Sequence, residues 1–173
     1  NPITSLEGLP SKLKYLNCST THITTFNGLP EGLEYLKSDS CHSLKAIDIS
    51  SNYITNIISS YCDNIKEITR LPSSLRNLDV SWCLSLRNVQ YFPSNLRSFK
   101  CGECVIRELP LLPDTLTKLH VYITHLEKLD YIPKALVYLS LEVCFLTKLP
   151  ELHEGLRYIV VRTNYLDTAN IVI

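Results

Sequence analysis

The feature that most constrains this sequence is a repeat of 20 or 21 residues that runs along the whole chain. A Leu-Pro dipeptide or a close relative marks most units, and degenerate forms at Ser50-Ser51 and Leu152-His153 mark two more. The pattern predicts one domain, residues 1–173, whose eight units begin near residues 9, 29, 50, 71, 92, 112, 132 and 152. A short fixed period is typical of solenoids, in which each unit packs only against its neighbours.

Apolar residues recur at fixed positions of the unit, whose clearest copy reads LPSSLRNLDVSWCLSLRNV. One column is Leu13, Leu33, Ile54, Leu75, Leu96, Leu116, Leu136 and Leu156, and three residues later comes Leu16, Leu36, Ile57, Leu78, Phe99, Leu119, Leu139 and Ile159. Two further columns are Ile23, Leu44, Ile65, Leu86, Ile106, Leu126, Leu146 and Leu166, then Phe26, Ile47, Ile68, Val89, Leu109, Leu129, Leu149 and Ala169. We expect these columns to form buried ladders, because equivalent positions of stacked units lie one above another.

Alternating apolar residues such as Leu78 and Val80 predict one short strand per unit, since successive side chains of a strand point to opposite faces. We expect these strands to stack in parallel along the concave side of a horseshoe. A unit this short leaves no room for a helix of two turns, and its proline favours an extended path. The convex side is therefore predicted to be extended, in polyproline-like conformation, with little or no helix.

The segments LPLLPDTLTKLHV and IPKALVYLSLEVCFLTKLPEL resemble the short Leu-Pro leucine-rich repeats of bacterial effectors injected into host cells. Yersinia Yop-type effectors and the recognition domains of Shigella- and Salmonella-type secreted ubiquitin ligases carry such repeats. The resemblance covers essentially the whole chain. It implies a leucine-rich-repeat solenoid that a bacterium secretes into the host cytoplasm, where it binds a host protein. Two features depart from that family: cysteine mostly replaces asparagine, and the separate catalytic ligase domain is absent from these 173 residues.

Five of the seven cysteines fall in the column that usually holds asparagine in such repeats. This column is Thr21, Cys41, Cys62, Cys83, Cys104, Thr124, Cys144 and Asn164. Asparagine there bonds backbone groups of the bend, and a thiol or hydroxyl can fill the inward site more weakly. Cys18 and Cys101 fall in the inward column of the strand instead. Unpaired thiols stacked about one strand spacing apart, ~4.8 Å, favour a reducing compartment.

Two clusters have the composition of chemical sites, and a structural interpretation is favoured for both. The stretch Cys101-Gly-Glu-Cys104 has the spacing of a redox or zinc motif, but both thiols occupy core columns. His22, His42 and Asp63 share one column, which faces solvent in most such solenoids. No catalytic triad or carboxylate pair recurs, and a continuous solenoid offers no deep cleft for a small-molecule substrate. The sequence therefore predicts no enzyme activity, no cofactor and no metal.

Residues between the core leucines are predicted to point out of the concave face and to contact a partner. The predicted contact residues are Tyr15, Tyr35, Lys37, Tyr61, Asp79, Trp82, Lys100, Lys118, His120, Tyr122, Tyr138, Glu142, Tyr158 and Arg162. Aromatic residues and arginine are enriched at interface hot spots, and a mixed-charge face favours a protein partner. An alternative is that cross-strand pairs such as Tyr15 with Tyr35 only stabilise the sheet, by ~0.2–1 kcal/mol each.

Charge and hydropathy narrow the class of partner further. The chain has 17 Lys and Arg residues and 17 Asp and Glu residues, so the attraction that drives binding to nucleic acid is missing. No apolar run is long enough to insert into a membrane. Both ends lack a polar cap, because Ile3 and Leu6 already fit core columns and Ala169 completes the last one. We therefore expect both ends to be truncated.

The sequence favours a non-catalytic protein-interaction scaffold, the target-recognition domain of a bacterial effector. Two alternatives stay open at this stage. The first is that the chain is the substrate-recognition half of a larger enzyme such as a secreted ubiquitin ligase. The second is that it is an extracellular or viral adhesion-type repeat protein. Oxidised cysteines and a signal peptide are expected only for the adhesion type.

Overall fold

A computed structural model of the chain describes residues 2–50 and 53–167, and these residues form strands and turns without any helix. Ser51 of the third predicted unit start and Ala169 of the fourth core column lie outside the described residues. In chain order the strands are β1 (Tyr15–Asn17), β2 (Tyr35–Lys37), β3 (Ala46–Asp48), β4 (Asn56–Ile58), β5 (Glu67–Arg70), β6 (Asn77–Asp79), β7 (Asn88–Val89), β8 (Ser98–Cys104), β9 (Lys118–Thr124), β10 (Tyr138–Glu142) and β11 (Tyr158–Arg162).

The main sheet has eight parallel strands within the described residues, in the order β1-β2-β4-β6-β8-β9-β10-β11. Each strand pairs with the equivalent strand of the next unit without any shift in register. Leu16 lies opposite Leu36, and Leu139 lies opposite Ile159. A parallel sheet with no crossover helix is possible because each connection runs once around the solenoid. The predicted parallel sheet is therefore confirmed.

The return path is extended, as predicted, and part of it pairs into a second sheet that the sequence analysis did not foresee. This sheet is β3-β5-β7, and Ile47, Ile68 and Val89 lie side by side in it. These residues belong to one predicted core column. Extended segments at equivalent positions of three successive units lie side by side, so their backbones can exchange hydrogen bonds. A short ladder therefore forms wherever the return path is straight enough.

The core consists of the predicted apolar columns, stacked between the two sides of the solenoid. Leu36, Ile57 and Leu119 are fully buried. Ile159, the equivalent residue of the last strand in the sheet order, is 46% exposed because its layer is covered on one side only. Each unit therefore owes its burial to its neighbours, as the repeat pattern implied.

A bend in left-handed conformation lies at or near the C-terminal end of each strand of the main sheet, inside the strand in β8 and β9, and none of the bend residues is a glycine. The bend residues are Thr20, Ser40, Tyr61, Trp82, Glu103, Ile123, Val143 and Thr163, with φ between 50° and 61°. This conformation costs an ordinary residue about 1–2 kcal/mol. Hydrogen bonds between units offset the cost: the Tyr61 amide donates to Ser81 O over 3.0 Å, and the Trp82 amide donates to Gly102 O over 2.7 Å.

The cysteine column replaces the usual asparagine as a hydrogen-bond donor, as predicted. The Cys62 thiol donates to Ser38 O over 3.1 Å, and the Cys83 thiol donates to Ser59 O over the same distance. The Asn164 amide makes the equivalent bond, to Leu141 O at 3.0 Å. All seven cysteines are buried and unpaired. Burial raises the pKa of Cys62 to about 12, so this thiol stays protonated and able to donate.

Candidate functional site

The register of the main sheet lines up the predicted contact residues in columns on its concave face. Tyr15 lies opposite Tyr35, and Tyr138 lies between Lys118 and Tyr158. In most strands the side chains beside a buried core residue are exposed or half-buried, as in β2, where Leu36 is buried between Tyr35 and Lys37. The structure therefore brings the predicted residues other than Tyr61 and Trp82 onto one surface in three groups.

The first group lies at the N-terminal end of the sheet. The Tyr15 and Tyr35 rings stack with centroids 4.8 Å apart and planes 18° apart. Lys37 Nζ lies 3.2 Å from a carboxylate oxygen of Asp39. That carboxylate also accepts a hydrogen bond from the backbone amide of Ser60 at 2.9 Å. Asp39 therefore ties two units together, while Tyr15, at 53% exposure, stays open to solvent.

The second group lies at mid-sheet and is centred on Asp79. This carboxylate accepts from the Ser81 amide at 3.0 Å, the Ser81 hydroxyl at 2.7 Å and the Ser60 hydroxyl at 3.4 Å. Lys100 Nζ lies 3.4 Å from its other oxygen. Asp79 was predicted as a contact residue, but its oxygens are already used by the chain. Asp79 therefore holds neighbouring side chains of the face in place and offers a partner no free hydrogen-bond acceptor.

The third group fills the C-terminal half of the face and is the most aromatic. His120 lies 4.9 Å from the Tyr122 ring and 6.2 Å from the Tyr138 ring, measured between centroids. Tyr138 in turn lies 6.2 Å from Tyr158. Lys118 Nζ stands over the Tyr138 ring at 4.9 Å from its centroid. This geometry supports contacts to apolar groups and to anions on the same surface.

Glu142 and His120 have shifted pKa values in this group. A hydrogen bond from the Ser140 hydroxyl, at 2.8 Å, is the largest cause that lowers the pKa of Glu142, and Arg162 at 2.7 Å adds to it. Burial is the largest cause that lowers the pKa of His120, followed by the charge of Lys100. At neutral pH Glu142 is therefore ionised and His120 is neutral.

Gly102 is the position that the sequence analysis missed. Tyr122 lies beside it in the sheet register, and a Cβ on Gly102 would stand 2.1 Å from Cζ of Tyr122. The ring therefore rests directly on the glycine backbone. The available signal was a glycine in a column that otherwise carries side chains.

Tyr61 and Trp82 were also predicted as contact residues, and they lie on the bend column. Their rings stack with centroids 5.5 Å apart and planes 11° apart. Tyr61 is 49% exposed and Trp82 is 38% exposed. Both residues are in the left-handed conformation of the bend, just beyond the strands that end at Ile58 and Asp79.

Of the two clusters with possible metal chemistry, one lies in the core and the other on the surface. Cys101 and Cys104 are buried in the core. His42 Nδ1 lies 3.2 Å from an Asp63 carboxylate oxygen on an exposed surface. Among residues 2–50 and 53–167, no three His, Cys, Asp or Glu side chains are placed to hold a metal ion together. In the same stretches of chain there is no helix of the length and hydropathy needed to cross a membrane.

No protein-family model matches the sequence, and no curated protein matches it. Among solved structures, YopM from Yersinia enterocolitica WA-314 is similar, with a TM-score of 0.55 and 21% sequence identity. The match covers 95% of this chain and 45% of the YopM chain, so this chain spans less than half of the length of YopM. The likeness shows the fold: a leucine-rich-repeat solenoid, as predicted. Solenoids of this kind are typically non-catalytic interaction scaffolds.

Proposed function

We propose that this chain is a protein-interaction scaffold that binds a host target on its concave face, as the recognition domain of a bacterial effector. The observation that carries the proposal is the contrast between the two sides of each strand in the main sheet. The inward side is a monotonous apolar ladder, whereas the outward side varies and bears exposed aromatic rings among paired charges. Rings such as Tyr158, at 62% exposure, add nothing to the core and resemble interface hot spots.

The likeness to YopM supports the effector part of the proposal and a host-cell location. The buried, unpaired cysteines support a reducing compartment, because adjacent free thiols oxidise readily outside cells. The near balance of charges on the face supports a protein ligand over a polyanion. Lys37, Lys100 and Arg162 each pair with a carboxylate.

Capture of partners from a eukaryotic cell lysate tests the proposal. The wild-type chain is compared with Trp82→Ala and Tyr138→Ala, and with the control Leu111→Ala, which removes an 82% exposed apolar side chain from the return path. We expect one or more proteins to be captured by the wild type and the control but lost from both face variants. Capture that is equal for all four proteins, or lost only with Leu111→Ala, would contradict the assignment of the concave face.

A further inference from the structure

One surface patch on the C-terminal half of the concave face combines aromatic rings with a free positive charge. We call Lys118, His120, Tyr122, Tyr138 and Tyr158 the tyrosine patch. They lie on three adjacent strands, β9, β10 and β11, and their rings are in contact or close to it. The patch is continuous enough to receive several side chains of a partner.

The carboxylates that border the tyrosine patch are already occupied. Glu142 accepts hydrogen bonds from Ser140 and Arg162, and His120 Nε2 lies 3.9 Å from it. Asp79, on the other side, is bonded by two serines and paired with Lys100. A basic group of a partner would have to displace these internal donors before it could pair with either carboxylate.

Lys118 differs from the other cations of the concave face. Lys37, Lys100 and Arg162 each have a carboxylate within salt-bridge distance. Within the described part of the chain, Lys118 has none, and its ammonium lies over the Tyr138 ring instead. The tyrosine patch therefore carries one positive charge that no carboxylate of the described residues compensates.

Charges of both signs surround His120 at the same place. They come from four strands of the main sheet: Asp79 lies on β6, Lys100 on β8, Lys118 on β9 and Glu142 on β10. Burial comes first among the causes that lower its pKa, and the charge of Lys100 comes second. Lys118 acts in the same direction, while Glu142 and Asp79 oppose it. A carboxylate of a partner bound beside Lys118 would oppose the effect of the two lysines on this pKa.

We propose that the tyrosine patch binds an acidic segment of the partner protein. A carboxylate of an Asp or Glu side chain pairs with Lys118, and a neighbouring apolar or aromatic side chain packs against Tyr138 and Tyr158. This inference rests on the proposed function, because it names the chemistry that the concave face recognises. Complementary charge steers the encounter and selects the partner, while the rings supply apolar contact area.

Three synthetic peptides of equal length test the chemistry: alternating Glu and Tyr, alternating Lys and Tyr, and alternating Glu and Ser. Binding to the wild-type chain is measured by biolayer interferometry at low and at physiological salt. We expect the Glu-Tyr peptide to bind at least about tenfold more tightly than either of the others. Equal binding of the Glu-Tyr and Lys-Tyr peptides would overturn the proposal, and equal binding of the two acidic peptides would remove the role of the rings.

Variants of Lys118 show whether the charge acts where we place it. Lys118→Gln should weaken Glu-Tyr binding several-fold, and Lys118→Glu should weaken it by about tenfold or more and improve Lys-Tyr binding. Lys134→Glu makes the same charge change at an exposed lysine of the Pro133 turn, outside the sheet, and serves as the control. An equal loss with Lys134→Glu would mean that only net charge matters and would contradict the site.

The His120 imidazole gives a readout that does not depend on affinity. Its NMR signal is assigned with the His120→Asn variant and titrated with and without the Glu-Tyr peptide. A carboxylate bound at Lys118 stabilises the imidazolium, so we expect the pKa of His120 to rise on binding. An unchanged or lower pKa would show that the acidic peptide binds elsewhere.

The outcomes separate this inference from the proposed function. Suppose that lysate capture depends on Trp82 and Tyr138 but the Glu-Tyr peptide does not bind. The concave face is then a binding surface for a partner of other chemistry, and the inference fails alone. If the peptide binds through Lys118 but no captured protein depends on the face, the proposed function fails alone.

Discussion

The Tyr122 ring lies on the backbone of Gly102 in the adjacent strand, with Cζ only 2.1 Å from where a Cβ of residue 102 would stand. This contact sets the orientation of Tyr122, because a side chain on the neighbouring unit would force the ring outward. The ring then meets His120 at 4.9 Å and joins the tyrosine patch. One missing side chain in β8 therefore shapes the surface of β9.

We predict that Gly102→Ala destabilises the protein by up to about 1 kcal/mol, because the new methyl group overlaps the end of the half-buried Tyr122 side chain, which must swing outward. The strain is steric, so the double variant Gly102→Ala with Tyr122→Ala should recover most of the loss. Urea unfolding of the two single variants and the double variant measures the coupling. Additive losses would show that the ring does not rest on Gly102.

Truncation of Leu78 should mainly reduce stability, whereas truncation of Trp82 should mainly reduce partner binding. Leu78→Ala removes a side chain that is 2% exposed and should cost ~2–5 kcal/mol through the cavity left in the core. Trp82→Ala removes a ring that is 38% exposed, so stability should change much less while partner capture falls. Denaturant unfolding gives both values. A larger loss with Trp82→Ala would invert the assignment of core and face.

Cys83 and Cys101 should differ in their tolerance of serine. A hydroxyl at position 83 can donate to Ser59 O as the thiol does at 3.1 Å, so Cys83→Ser should be mild. The Cys101 thiol makes no hydrogen bond with the described residues, and a buried hydroxyl there is left unpaired. We expect Cys101→Ser to cost about 1–3 kcal/mol more than Cys83→Ser in thermal unfolding. Equal losses of stability in the two variants would argue against a hydrogen-bond donor role for the cysteine column.

Alkylation under native conditions should be slow for most thiols and complete after denaturation. Burial raises the pKa of Cys104 to about 12, so little reactive thiolate forms near neutral pH. Hydrogen bonding with Cys18 and Thr21 lowers the pKa of Cys41, but its side chain is fully buried, so labelling there also needs local opening of the fold. Mass spectrometry of the folded protein should therefore find few labelled thiols. Fewer than seven labelled thiols in the denatured chain would favour the oxidised, adhesion-type alternative.

His120 should make stability depend on pH in a defined direction. Its pKa in the folded chain lies below the ordinary value of 6.5, so the unfolded chain binds this proton more readily. The contribution of His120 is fully present above that ordinary value and is lost as pH falls toward the folded pKa. Lowering the pH from about 7.5 to about 5.5 should therefore lower the Tm of the wild type more than the Tm of His120→Asn, as measured by thermal unfolding. Glu142, whose pKa is lowered from 4.5, titrates below this window.

The placement of the core and of most of the candidate site followed from periodicity. Leu78, Val80 and their counterparts recur at one position per unit, and a solenoid repeats the environment of each position. Predicting one unit therefore predicted all of them, including the outward columns that hold Tyr15, Lys118 and Tyr138. The same logic assigned the cysteines to inward positions.

Contacts between side chains of different units could not be predicted in this way, because they depend on the identity of two neighbours and on local backbone geometry. Asp79 was predicted to contact a partner, but serines of two units bond one of its oxygens and Lys100 pairs with the other. The left-handed bend at Tyr61 and Trp82 could not be predicted from a glycine in the sequence, because hydrogen bonds to the next unit stabilise it without one.

By itself, the sequence determined the solenoid, its inward ladders and the set of side chains on the concave face, since these depend only on a period near twenty residues and on burial of apolar groups. Only the tertiary structure decided which of those side chains stay available. Asp79 and Glu142 are satisfied by neighbouring donors, Tyr122 is oriented by Gly102, and Lys118 keeps its charge free. These outcomes depend on distances of a few ångströms across strands, which no single unit of the sequence contains.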